Sequence, residues 1–205
     1  MVIYLLAEGH TEEAVAVRII PFCGHELGTV YGKRGCDYIR KKAAVFCNLA
    51  TEQTGVLVLT DFRDSGMPCV PDALNDYILL KSPDPPRTFL CRFAVNELES
   101  WLLADREGLA KYMNISISKM PLHPENEEFP KATLISLAHK SNRKDIREGI
   151  APPAGHRAAV GPEYLNLIRE FILVHWNIEN AVLHSQSLER CVRRLREIAV
   201  NIHSV

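Results

Sequence analysis

The sequence predicts an α/β fold: a mostly parallel sheet flanked by helices, with a C-terminal helical elaboration. Three observations point there. Val2–Ala7 and Val56–Thr60 are continuous apolar runs of the kind that strands buried on both faces require. Strand-like and helix-like stretches alternate through the first hundred residues. Beyond that point no convincing strand pattern remains, and the apolar positions recur at helical spacing.

Val2–Ala7 opens the chain as a strand. Thr11 is placed to cap a helix running to about Leu27, with Glu12 and Glu13 favourable in its first turn and Gly28 as its stop. Thr29–Tyr31 is a short strand, and Ile39, Val45, Phe46 and Leu49 give Cys36–Ala50 a helical stripe. Val56–Thr60 is followed by a loop rich in Asp, Gly and Pro. Pro71–Leu80 reads as a helix broken by Pro83-Asp84-Pro85-Pro86. Thr88–Val95 is a third strand leading into a helix over Asn96–Ala104. Helices are expected over Lys131–His139, Glu163–His175 and Ser187–Ile202, with a loop over Ala151–Gly161. The division expected is a core over residues 1–110 with residues 111–205 packed on it as one compact unit.

Hydrophobic residues make up 47% and charged residues 24% of the 205, which is ordinary for a globular protein able to bury a core without staples. Six cysteines without a C-x-x-C pair argue against a zinc site and a disulfide framework. A net charge of −1 gives no global pull toward nucleic acid, so such binding would have to come from local patches. With no apolar run of membrane-spanning length and no signal-like start, a cytoplasmic protein without membrane contact is expected.

The chemistry concentrates where the strands end. Glu8 and Glu12 follow the first strand, and Asp61 and Asp64 follow the second. In open α/β sheets ligands collect beyond the carboxyl ends of the strands, and clustered carboxylates suit hard divalent cations. Glu8, Asp61 and Glu97, each at the end of an apolar strand, are the candidate catalytic residues. Glu8, Glu12, Asp61, Asp64, Glu97 and Glu99 are the candidate ligands of Mg²⁺ or Mn²⁺. Several have plainer readings. Glu12 suits a helix first turn, Asp64 an Asx-turn, and Asn96 with Glu99 a capping box. His10 reads as an exposed loop imidazole. Arg63 reads equally as a surface charge or a phosphate clamp. Lys33, Arg34, Arg40, Lys41 and Lys42 form either a solvated helix face or a nucleic-acid-binding patch. Arg190, Arg193, Arg194 and Arg196 lie opposite the apolar stripe of the last helix.

Glu8-Gly9-x-Thr11-Glu12 followed by the Asp61…Asp64 turn resembles the Toprim domain of topoisomerases, primases and OLD-type nucleases. More narrowly, AEGHTEE, TDFRDSGMPC, FAVNELESWLLAD and GPEYLNLI…HSQSLERC resemble the bacterial Toprim-like family DUF 4276. One departure stands out: Phe62 and Arg63 both separate the aspartates, where the family has one intervening residue. The resemblance implies a Toprim-like fold and a metal-dependent phosphoryl-transfer enzyme, nuclease-like, acting on phosphodiesters. The alternative is a non-catalytic Toprim-like module that binds a metal or nucleotide and docks a partner protein such as an ATPase. It also implies that Ser185 and Ser187 match a late Ser-x-Ser that caps the last helix or touches the site. The sequence leaves the oligomeric state open.

Overall fold

The computed structural model describes residues 1–153 and 158–200, with the side chains of 199 and 200 excepted. Four parallel strands lie in the order β2-β1-β3-β4: β1 Val2–Ala7, β2 Glu26–Gly32, β3 Thr54–Asp61 and β4 Phe89–Ala94. Between them run α1 (His10–Phe22), α2 (Cys36–Phe46) and α3 (Val70–Leu74), the last continued by a π-helical turn over Asn75–Leu79. The helices that follow are α4 (Glu99–Ala104), α5 (Arg106–Met113), α6 (Pro130–His139), α7 (Lys144–Gly149), α8 (Tyr164–Glu170), α9 (Ile178–Val182) and α10 (Gln186–Val200). The α/β fold with C-terminal helices is therefore present, and the described residues beyond β4 contain no strand.

The sheet order follows from the sequence pattern. β1 and β3 are central and buried on both faces, which is why β1 is apolar throughout and β3 carries the apolar run Val56–Leu59. Leu6, Val56, Val58, Cys91 and Phe93 pack with Ile39 and Ala43 of α2 and with Ala73, Tyr77 and Ile78. The alternate positions Ile3, Leu5, Leu57 and Leu59 are fully buried on the other face. Each such side chain contributes about 1.5–3 kcal/mol over an exposed one. Among the described residues no helix is long and apolar enough to cross a membrane.

Several boundaries differ from expectation. α1 stops at Phe22 because Pro21 occupies its last turn and Gly24, at φ 83°, turns the chain away. β2 therefore begins at Glu26, whose N–H donates to Met1 O, and runs seven residues. Gly28 does not end a helix but lies within β2. A Cβ there would stand 2.7 Å from Val2 Cγ1 and 2.8 Å from Tyr4 Cδ1. The N-cap of α1 is Gly9 rather than Thr11. The expected helix end at Ile202 and residues 154–157 of the loop lie outside the described residues.

The chain divides into two compact units. Met1–Val95 joins the chain from Glu189 onward, and Asn96–Leu188 forms the second. The boundary thus falls just after β4 rather than at 110, and most of α10 belongs with the sheet. Within the sheet unit, Cys23 Sγ donates to Val192 O and His25 Nε2 bonds to Leu195 O at 2.7 Å. Within the helical unit the core includes Trp101, Trp176 and Phe171, all fully buried. There Asp105 accepts from Gly108 N, Asn177 N and Asn180 Nδ2.

Candidate metal centre

In a sheet of order β2-β1-β3-β4 the chain leaves β1 to one side and returns to β3 on the other. The carboxyl ends of β1 and β3 therefore flank the crevice where doubly wound sheets bind their ligands. Glu8 is the first residue past β1. Its N–H donates to Leu59 O, extending the β1–β3 pairing by one step and fixing the residue at the crevice. Its Oε2 accepts from the Thr60 hydroxyl and from Asp61 N at 3.2 Å.

β3 delivers the second acid by a tight turn. Phe62 N donates to Ala94 O at 2.9 Å, and the chain then folds into a 3-10 turn over Arg63–Ser65. Ser65 Oγ donates to Phe62 O and accepts from Met67 N, while Gly66 closes the turn in the left-handed region at φ 65°. The two residues between Asp61 and Asp64 thus form this turn, and Asp64 reaches the Glu8 carboxyl. A third donor comes from Cys36, the first residue of α2. Glu8, Cys36 and Asp64 each offer a ligand atom, all within 4.8 Å of one another.

Burial first, and then the neighbouring Asp64, raise the pKa of Glu8 above its ordinary value, against the pull of Thr60 and Asp61 N. The Cys36 thiol is likewise held above its ordinary value, by burial, by Glu8 and by Asp64. Both shifts disfavour the anionic forms, through burial first and then through mutual repulsion. That is the electrostatic condition a divalent cation relieves, and the carboxylate oxygens suit Mg²⁺ or Mn²⁺ while the thiol adds affinity for softer metals.

The other expected site residues divide. Asp61 is half-buried beside the group, its amide bound to Glu8, but it is not one of the three clustered donors. Glu12 is 7% exposed in the first turn of α1. Its Oε2 lies 2.9 Å from where a Cβ would stand on Gly9, so the glycine turn sits directly over this carboxylate. Glu97 and Glu99 lie in the helical unit. Glu97 Oε2 accepts from Lys131 N at 2.8 Å in the first turn of α6, and the buried Glu99 accepts from Tyr164 OH and pairs with Lys131 Nζ at 3.2 Å. The Asn96–Glu99 capping box does not form. Asn96 adopts φ 61° and its Nδ2 donates to Glu125 O and Glu127 O. Ser185 and Ser187 hold the start of α10 to the Glu125 carboxylate. His10 is exposed and pairs with Glu13 at 3.5 Å.

The basic run is partly engaged. Arg40 forms a two-pronged pair with Asp76 at 2.6 and 3.0 Å, Lys33 pairs with Glu13, and Arg34 lies over the Tyr38 ring. Lys41 and Lys42 are exposed.

Cys36 is the member that sequence reasoning missed. Its only local signal is Gly35, whose φ of 80° starts α2 immediately after the β2 edge. Compared with family models, with curated proteins and with solved structures, the chain finds no match.

Proposed function

We propose that the protein is a divalent-metal-dependent phosphoryl-transfer enzyme of Toprim-like type, acting on phosphodiesters. The reading is carried by the convergence of Glu8, Asp64 and Cys36 on the β1/β3 crevice. Glu8 and Asp64 are the carboxylates that would hold Mg²⁺ or Mn²⁺, with Cys36 as a third donor and Asp61 beside them. When bound, the ion would stabilise charge developing on a phosphoryl group and lower the pKa of a water. Thr60 and Asp61 N hold the Glu8 carboxylate in one orientation, and the 3-10 turn sets the reach of Asp64. Lys41 and Lys42, exposed on α2, are the residues of the basic run best placed to meet a nucleic-acid backbone.

The test is Mn²⁺ titration by calorimetry, followed by nuclease assays on single- and double-stranded DNA and RNA. Activity that depends on Mn²⁺ and is lost in both Glu8→Gln and Asp64→Asn supports the reading. Metal binding without turnover on any substrate refutes the enzyme.

One observation favours a second reading, a non-catalytic metal- or nucleotide-binding module that docks a partner protein such as an ATPase. Glu97 and Glu99 are engaged in holding helices together, which leaves fewer carboxylates for a second ion. A metal-soaked crystal separates the two. Two ions about 4 Å apart fit catalysis, and one fits the module.

A further inference from the structure

The β4 edge of the sheet carries residues that the candidate metal centre does not use. β4 is an edge strand, and a cleft of about 180 Å³ runs beside it. Leu74, Ile78, Leu79 and Phe89 are among its apolar lining residues, and Arg92 and Arg194 are the charged ones. The two cations differ. Arg194 already pairs with Glu197. Arg92 Nη1 donates to the carbonyl of its neighbour Cys91 at 3.1 Å, but its Nε is buried without a hydrogen-bond partner among the described residues.

A guanidinium on an otherwise apolar strand is costly. Its Nε is withdrawn from water with no carboxylate to take its place, which disfavours the charged form. Burial indeed pulls the pKa of Arg92 down, and Arg194 and Arg193 push the same way. The position in β4 that pairs with fully buried Leu59 would serve the fold better as a Leu or Val. An anion entering the cleft offsets this cost, and the apolar walls favour a ligand whose body is hydrophobic. One uncompensated guanidinium fits a single negative charge, and its planar fork matches a carboxylate.

We propose that this cleft binds a small carboxylate with an apolar tail, its head on Arg92 and its tail against Leu74, Ile78 and Leu79. This site is independent of the reading of the metal centre.

The test is calorimetric titration of the full chain with octanoate in EDTA, so that no metal site contributes, with 1-octanol as the neutral control. Octanoate binds saturably at one site, and octanol at least tenfold more weakly. Arg92→Met weakens octanoate at least tenfold and leaves octanol unchanged, in protein shown to be folded by circular dichroism. Leu79→Glu, at a position 39% exposed and so tolerant of substitution, places a negative charge on the wall and weakens octanoate by a similar factor. Absence of saturable octanoate binding, equal affinity for octanol, or unchanged affinity in folded Arg92→Met or Leu79→Glu overturns the proposal.

Discussion

Replacing Asp64 by Asn tests the metal centre through stability, without any knowledge of a substrate. The ligand atoms of Glu8 and Asp64 lie within 4.8 Å. Two unit charges about 4.8 Å apart repel by about 3.5 kcal/mol at an effective dielectric of 20 and about 0.9 kcal/mol in bulk water. Asp64 is exposed, so the lower part of that range applies, about 1–2 kcal/mol. The metal-free Asp64→Asn protein is therefore expected to be more stable than wild type by that amount, or about 2–8 °C in Tm. Metal separates the two proteins by the size of their response. An ion at a hundred times its Kd adds about 2.7 kcal/mol to a protein that binds it only when folded, which at about 2–4 °C per kcal/mol raises Tm by roughly 5–10 °C. Wild type should show this rise with Mn²⁺ and Asp64→Asn should show almost none. Glu97→Gln, which alters a group holding α6, should keep the full rise. The effect also has a pH signature. Folded Glu8 holds its proton more tightly than the unfolded chain does, so metal-free stability falls as pH rises above the ordinary Glu range and levels off above the raised pKa. The Mn²⁺ response grows across that same window, as the cation displaces the proton. Differential scanning fluorimetry from pH 4 to 8 reads all of this. A full Mn²⁺ response in Asp64→Asn, or a metal-free variant less stable than wild type, would refute the reasoning.

Three further outcomes follow from particular residues. Lys41→Glu with Lys42→Glu should weaken DNA binding to any sequence and flatten the slope of log K against log salt by about 2; Arg40 is left intact because it pairs with Asp76, and an unchanged slope makes this a solvated face. His25 is buried and its pKa is lowered chiefly by burial, so the folded state resists protonation there and stability is lost as pH falls below 6.5. His25→Gln should lose less stability than wild type between pH 7 and 5 in urea titrations, and parallel losses would exclude His25 as the cause. Asp105→Ala removes a fully buried carboxylate with three donors and should cost about 3 kcal/mol or more in chemical denaturation, whereas a loss under 1 kcal/mol would mean that water replaces those bonds.

How far the fold was legible follows from where each strand sits. β1 and β3 read correctly because two-sided burial leaves a continuous apolar signal, and β4 because its apolar run is broken only at Arg92. β2 is an edge strand with no fully buried residue and with Gly28 inside it. Its sequence ELGTVYG therefore carries no such run, and the pattern marks only three of its seven residues, Thr29–Tyr31, as strand. α5, α7 and α9 were missed because eight, six and five residues give too few turns for a stripe to emerge from the background.

The site divides along the same physical line. An acid at a strand end marks a ligand crevice only if that strand borders the point where the sheet order reverses, and this depends on topology. Glu8 and the Asp61–Asp64 turn follow β1 and β3, the two strands that meet there. β4 lies one strand further out, so an acid following it carries no such implication. The chain after β4 takes a left-handed turn at Asn96, and Glu97 and Glu99 bind Lys131 and Tyr164. Cys36 shows the converse. Nothing about a thiol at the start of a helix announces a ligand. It joins Glu8 and Asp64 because β2 is the other neighbour of β1, and because Gly32 and Gly35 turn the chain back toward Ala7 and Glu8, with Lys33 N on Ala7 O and Gly35 N on Glu8 O. Strand order, which single residues do not encode, decides which strand ends converge.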